Sequence, residues 1–295
     1  MTYRDIVLAV LVPICFGVGF TMAKPAIDHF PPLFTMLVAY GINAALISTF
    51  WRSPQKTPHL QVALIAAFVV TIQGVLIFYG YQHVSASVCT LVIQVQVPAG
   101  VLFGWLLLKE ELSLRKMLGI TLAIGGVIIV VGLPTQSPPL VPLAMIILGA
   151  SAWAFGQVLL RKLSQDSGLV ILRAISIHAL PQLLIAGYFL ETGQMAAIQT
   201  ASLFQWLAFG VFAFIGFFVA YWLWYTLLSR NRIDEVMPFM LLRPIVGVFS
   251  AAVILDEPVT FANVAGGAVI LSGVAIVCGL RLPKFSQSPL KPAAD

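Results

Sequence analysis

Long apolar runs dominate the chain, separated by short polar clusters. They fall at 6–24, 32–51, 61–82, 85–108 and 117–133, and again at 140–160, 169–190, 203–228, 236–255 and 262–280. A helix needs about 20 mostly apolar residues to cross the hydrocarbon layer of a bilayer, and each run is of that order. The breaks hold charges or Pro/Ser clusters and are too short for an inserted soluble domain. The pattern predicts an all-α polytopic membrane protein of ten transmembrane helices. The first run reads as a membrane helix rather than a cleaved leader: it lacks a small-x-small site, and Lys24-Pro25 follows directly.

Composition agrees with that reading. Hydrophobic residues make up 60% of the chain and charged residues 9%, against about 25% charged in a soluble domain. Such a chain cannot cover a water-facing surface of its own, and lipid must solvate it. Cys15, Cys89 and Cys278 all lie within apolar runs, far apart and without metal-ligand spacing, so they read as small packing residues.

The net charge of +5 takes its meaning from its distribution. With the N-terminus inside, the inner segments hold Arg4; Arg52 and Lys56; Lys109, Arg115 and Lys116; Arg161 and Lys162; Arg230 and Arg232; and Arg281, Lys284 and Lys291. Lys24 is the one basic residue left for the outer segments, while Arg173 and Arg243 lie within spans. This is the positive-inside asymmetry of a membrane protein with both termini cytoplasmic. It gives no reason to expect a nucleic-acid partner. The bilayer is the partner implied, and the pattern leaves the oligomeric state open, a monomer sufficing.

The second half repeats the first. "YQHVSASVCTLVIQVQVP" (81–98) lies over "LLSRNRIDEVMPFMLLRP" (227–244) without a gap. With one residue of slip, Gly100 then falls on Gly247, Glu110 on Glu257, Gly119 on Gly266 and Gly126 on Gly273, while "FGVGFTMAK" (16–24) matches "WAFGQVLLRK" (153–162). The chain divides into repeats at 1–134 and 135–281, followed by a cytoplasmic tail at 282–295. Five spans per repeat is an odd number, so the two copies cross the membrane in opposite directions. Inverted repeats are the architecture of alternating-access transporters, which bind substrate near the midplane between the halves.

These motifs, together with "KEELSLRKMLGITLAIGGVIIV" and "DEPVTFANVAGGAVILSGVAIV", resemble the EamA-type carriers of the drug/metabolite transporter superfamily, over about residues 4–280. The resemblance implies ten helices in two inverted five-helix repeats around a central cavity. It also implies a role in exporting amino acids and other small metabolites. Pro258 after the second Glu and a missing residue near Pro244 depart from the first repeat and predict a different kink or rotation in the 236–255 helix.

No catalytic or nucleotide-binding constellation is visible. His29, His59, His83 and His178 are scattered, and a phosphate-binding glycine loop is missing, so neither a cofactor nor ATP-driven pumping is expected. Ser113 and Thr260 read as helix caps behind Glu110 and Glu257. All the acidic residues lie at span ends or in loops, which leaves His178 as the one mid-span relay candidate and facilitated export open beside proton antiport.

The remaining candidates are neutral polar and aromatic side chains grouped by helical spacing. They are Asn43, beside Tyr40; Tyr79 and Gln82, beside His83; Gln94, on a face with Pro98 and away from Gln96; Trp153 with Gln157; His178, beside Gln182; and Tyr221 with Trp224, near Tyr225. Such residues either bond helix to helix or line a cavity suited to small amphipathic solutes. Arg243 is the only ionised group between Val236 and Leu255. It either snorkels toward the cytoplasmic surface or faces the cavity and attracts a carboxylate. The reading is an inner-membrane exporter of small metabolites, amino acids foremost. The rivals are an exporter of drugs or other hydrophobic compounds, a passive channel and a membrane enzyme.

Overall fold

A computed structural model describes residues 3–51, 53–132, 139–166, 168–228, 230–231 and 236–278. The tail expected at 282–295 and the segment 133–138 lie outside the described residues. Within them the chain is all helix and connecting turn, with no strand.

Helix α1 spans Tyr3–Ile27, α2 Pro32–Phe50, α3 His59–Tyr81, α4 Ala86–Leu108 and α5 Leu114–Gly132. Helix α6 spans Leu140–Leu163 and α7 Gly168–Leu190. A short helix, α8 (Gln194–Thr200), was not anticipated by the hydropathy pattern. Helix α9 joins Leu203–Gly210, Val211–Val219 and Ala220–Leu228; α10 joins Met237–Leu241 and Leu242–Ile254; α11 is Phe261–Cys278. Seven of these helices are long and apolar enough to cross a membrane, and the apolar stretches of α10 and α11 are shorter.

Local chemistry sets the starts. Pro32 opens α2, where a missing N–H costs nothing. The Ser85 hydroxyl accepts from the Val88 N–H and caps α4, and Ser202 with Gln205 forms a capping box for α9. Ser113 and Thr260 accept from the N–H groups of Lys116 and Asn263, so both act as caps.

Four helices depart from regular winding beside the core. Helix α3 widens to a π-helix over Ala67–Ile72, and α9 does so over Val211–Val219. Helices α4 and α10 tighten to 3-10 winding over Ile93–Val95 and Met237–Leu241, each just ahead of a proline, Pro98 and Pro244. Proline cannot donate the next helical hydrogen bond, and a tighter turn is one accommodation. The sequence predicts that the 236–255 helix kinks differently from its counterpart in the first repeat; both carry a 3-10 turn ahead of a proline, three residues long in α4 and five in α10.

Close glycine contacts hold the helices together. A Cβ on Gly19 would lie 2.1 Å from the Gly216 Cα, so α1 and α9 touch backbone to backbone. The α5–α11 pair is packed in the same way through Gly119, Gly126, Gly266 and Gly273.

Polar ties gather the helix ends. At one end the Lys24 ammonium donates to the carbonyls of Tyr81 and Gln82, at 3.0 and 2.8 Å, and to Asp28 at 3.0 Å. Glu191, at the close of α7, accepts from the N–H groups of Leu33 and Phe34 and from the Tyr79 hydroxyl. Glu257 likewise accepts from the N–H groups of Ala86 and Ser87. At the other end Asp166 accepts from the N–H groups of Lys56 and Thr57 and from the Thr57 hydroxyl. Arg161 pairs with Glu110 there.

Candidate functional site

A cavity lies in the middle of the bundle, walled by α1, α2, α3, α4, α6, α9 and α10. Aromatic rings form much of its wall, among them Phe16 and Phe20 from α1, Tyr40 from α2, Trp153 from α6, and Phe217 and Tyr221 from α9. The rings brace one another edge to face. Phe16 meets Tyr221 with centroids 5.0 Å apart, and Tyr40 meets Phe217 at 4.8 Å.

The polar groups in this wall are few. Gln73 enters from α3, Gln96 from α4 and Arg243 from α10. The Arg243 guanidinium sits 5.3 Å from the Phe16 ring centre and 5.8 Å from that of Phe20. Ring faces attract a cation, which explains how the charge is tolerated in an apolar helix. Those contacts satisfy none of its N–H donors. Among the described residues Arg243 has no ion pair or protein hydrogen bond, and the amides of Gln73 and Gln96 have none either.

Phe20 stacks on Tyr81 with centroids 4.9 Å apart and 5° between planes, and the Tyr81 hydroxyl donates to the Phe20 carbonyl at 3.1 Å. On the α10 side the hydroxyls of Thr21 and Ser250 are 2.7 Å apart, and Thr21 lies 3.2 Å from the Gly247 carbonyl. Phe20 thus touches both the Arg243 cation and the Tyr81 ring.

Of the residues singled out from sequence, Trp153, Tyr221 and Arg243 share this cavity. The others sit elsewhere. Tyr79 bonds to Glu191, and the Gln82 amide donates to the Ile27 carbonyl at 2.6 Å, tying α3 to α1. The His178 Nδ1–H reaches the Ala174 carbonyl, while its Nε2 lies 3.0 Å from Nδ1 of His59. Trp224 packs with Leu227 and Val236 near Ala9. Asn43 is fully buried with both amide atoms unbonded. Gln94 is buried in α4 and Gln157 lies on α6, both outside the lining. Lys24, the basic residue left for the outer segments, is engaged by Asp28 and two carbonyls.

Tyr40, Gln73 and Gln96 are the lining groups that sequence reasoning passed over as site residues. Gln73 is a lone amide in the middle of an apolar run, and that isolation was the available signal. Gln96 was set aside because regular α winding groups Gln94 with Pro98. Through the 3-10 turn the repeat shortens to about three residues, which brings Ile93 and Gln96 to the cavity together.

A bundle of apolar, membrane-length helices around a central cavity with a few polar groups fits a multi-pass membrane transporter. The chain matches the EamA-like transporter family over residues 4–132 and again over 140–279, and it belongs to that family, within the drug/metabolite transporter superfamily. It is 29% identical to a protein of Salmonella typhimurium described as a probable amino-acid metabolite efflux pump, over 97% of this chain and 99% of that one. A protein of Escherichia coli with the same description is 29% identical over 96% of this chain and 98% of its own length. A solved structure titled only "Crystal structure of protein" shares the fold, with a TM-score of 0.66 at 14% identity, over 94% of this chain and 96% of that one.

Proposed function

We propose that the protein exports small metabolites, amino acids foremost, across the bacterial inner membrane by alternating access. The observation that carries this reading is Arg243, a cation without an acidic partner among the described residues, held by two phenyl rings at the wall of a central cavity. A guanidinium pairs with a carboxylate through two parallel, charge-assisted hydrogen bonds. Trp153, Tyr221, Gln73 and Gln96 then form the rest of the binding site. The efflux role given to the Salmonella and Escherichia relatives agrees with it.

The transport cycle uses two inverted five-helix repeats, 1–134 and 135–281, giving ten transmembrane helices with both termini cytoplasmic. Several matched features support that plan. Lys109 and Asp256, at matched positions after α4 and α10, both adopt left-handed backbone, with φ of 55° and 52°. The next residue closes the same loop in each case, Glu110 N–H to the Gly104 carbonyl and Glu257 N–H to that of Ala251. The π-helical stretches of α3 and α9 and the 3-10 turns of α4 and α10 correspond as well. The ties around Lys24 and Tyr81 close the periplasmic end, and the cavity accepts substrate from the cytoplasm.

Counterflow in proteoliposomes tests the reading. Vesicles preloaded with an unlabelled amino acid should accumulate the labelled one transiently, with saturation, and Arg243→Gln should abolish the uptake. Flux without saturation or counterflow would mark a channel instead. The aromatic wall keeps a second reading open, an exporter of hydrophobic compounds, which would survive Arg243→Gln.

A further inference from the structure

We infer that the preferred substrate is a monocarboxylate without a free ammonium group, such as an N-acylated amino acid or a 2-oxo acid, and that its export is driven by the membrane potential. The inference rests on the proposed function and narrows its substrate class.

A zwitterionic amino acid carries two charges, and a dehydrated site has to satisfy both. The cavity offers Arg243 to the carboxylate. Among the described residues it offers no carboxylate to an ammonium, since no acidic side chain is in the lining. Those outside α1 lie at helix ends or in loops, Glu111 and Asp256 in the turns after α4 and α10 and most of the rest bonded there. Asp28 pairs with Lys24, Glu191 bonds to Leu33, Phe34 and Tyr79, and Glu257 bonds to Ala86 and Ser87. At the other end Asp166 bonds to Lys56 and Thr57, and Glu110 pairs with Arg161. Asp5 lies three turns from Phe16 along α1, about 16 Å at 1.5 Å per residue. The ammonium would be left with Gln73, Gln96 and ring faces in a wall that already carries a positive charge. Masking the amine as an amide, or replacing it with a carbonyl, removes that penalty. The new group can accept from the Trp153 indole N–H or a glutamine amide.

The same charge balance supplies a driving force. A monoanion leaving a cell that is negative inside moves down the potential, and each 100 mV supports about a fifty-fold outward gradient. No proton relay is needed, and among the described residues the lining holds no carboxylate or histidine.

The test uses the full-length protein in liposomes with labelled N-acetyl-L-leucine and L-leucine, with protein-free vesicles as the blank. Counterflow of N-acetyl-L-leucine should exceed that of L-leucine at least tenfold. A valinomycin-set potassium potential should drive net movement of the N-acetyl compound toward the positive side. Arg243→Gln should remove the preference while the purified yield holds. Equal or faster counterflow of L-leucine, or net flux of the N-acetyl compound blind to the potential, would overturn this inference and leave the exporter reading standing. Absence of counterflow for both probes and for a wider amino-acid panel would remove the exporter reading itself.

Discussion

Gly126 and Gly266 face each other's carbonyl oxygens: a Cβ on either would lie 2.8 Å from the other's oxygen. The contact is backbone against backbone, so no flexible side chain can give way. Gly126→Ala or Gly266→Ala should therefore force α5 from α11 and destabilise the protein by about 1–3 kcal/mol, the usual cost of overpacking. A methyl added at Gly125 would meet nothing within 4 Å, so Gly125→Ala serves as the control. Thermal unfolding in detergent, read as the loss of monodisperse protein, should separate the two classes by several degrees.

Arg243 should show a graded response. Lysine keeps the charge but not the planar fork that binds a carboxylate at two points. Arg243→Lys should weaken transport of carboxylate substrates about tenfold and Arg243→Gln further, with unchanged expression. Ester analogues should lose their dependence on this position. Parental transport by the Lys variant would show that charge alone is required.

Gln73 and Gln96 face the cavity, whereas Gln82 ties α3 to α1. Alanine at 73 or 96 should raise the half-saturating substrate concentration without lowering the folded yield. Gln82→Ala should leave substrate affinity near parental and loosen the Lys24 end. Labelling of a cysteine introduced at Ala26 should then become faster.

Asp166 gives a pH dependence with a definite sign. Burial works against its ionisation, but donation from the Thr57 N–H and hydroxyl and the Lys56 N–H outweighs it and holds the carboxyl below the usual range. Its contribution is complete above the unfolded value of about 3.9 and is lost as pH falls through the lower folded value. Asp166→Asn should lower the unfolding temperature at pH 7, and the difference from the parent should shrink below about pH 4.

Orientation is checked by cysteine labelling. A cysteine at Gln194 should react from the periplasmic side and one at Gln165 should not, in a background lacking the native cysteines. The reverse result would turn the charge argument over.

The legible part of the fold is the part that lipid enforces. Apolar runs place helices to within about three residues, because backbone groups in hydrocarbon have no partner except their own helix. Arg243 was visible as an isolated charge, but its surroundings were not, since Phe16 and Phe20 lie more than two hundred positions away in the chain. Helical spacing failed at Gln94 and Gln96, where one tight turn exchanges the faces. It also grouped Tyr79 with Gln82, while giving no sign that Glu191 and Ile27 would bind them separately.

The π-helical stretches of α3 and α9 border the cavity from both sides, with Gln73 just beyond the first and Tyr221 just beyond the second. Each stores slack: its wider coil holds a residue that ordinary winding would push along the helix. Rewinding such a stretch swings the rest of the helix by about 100° around the axis, one residue's worth of turn. The two helices can therefore present a different set of side chains to a passing solute like a key turned in place, the half ahead of each stretch keeping its mooring.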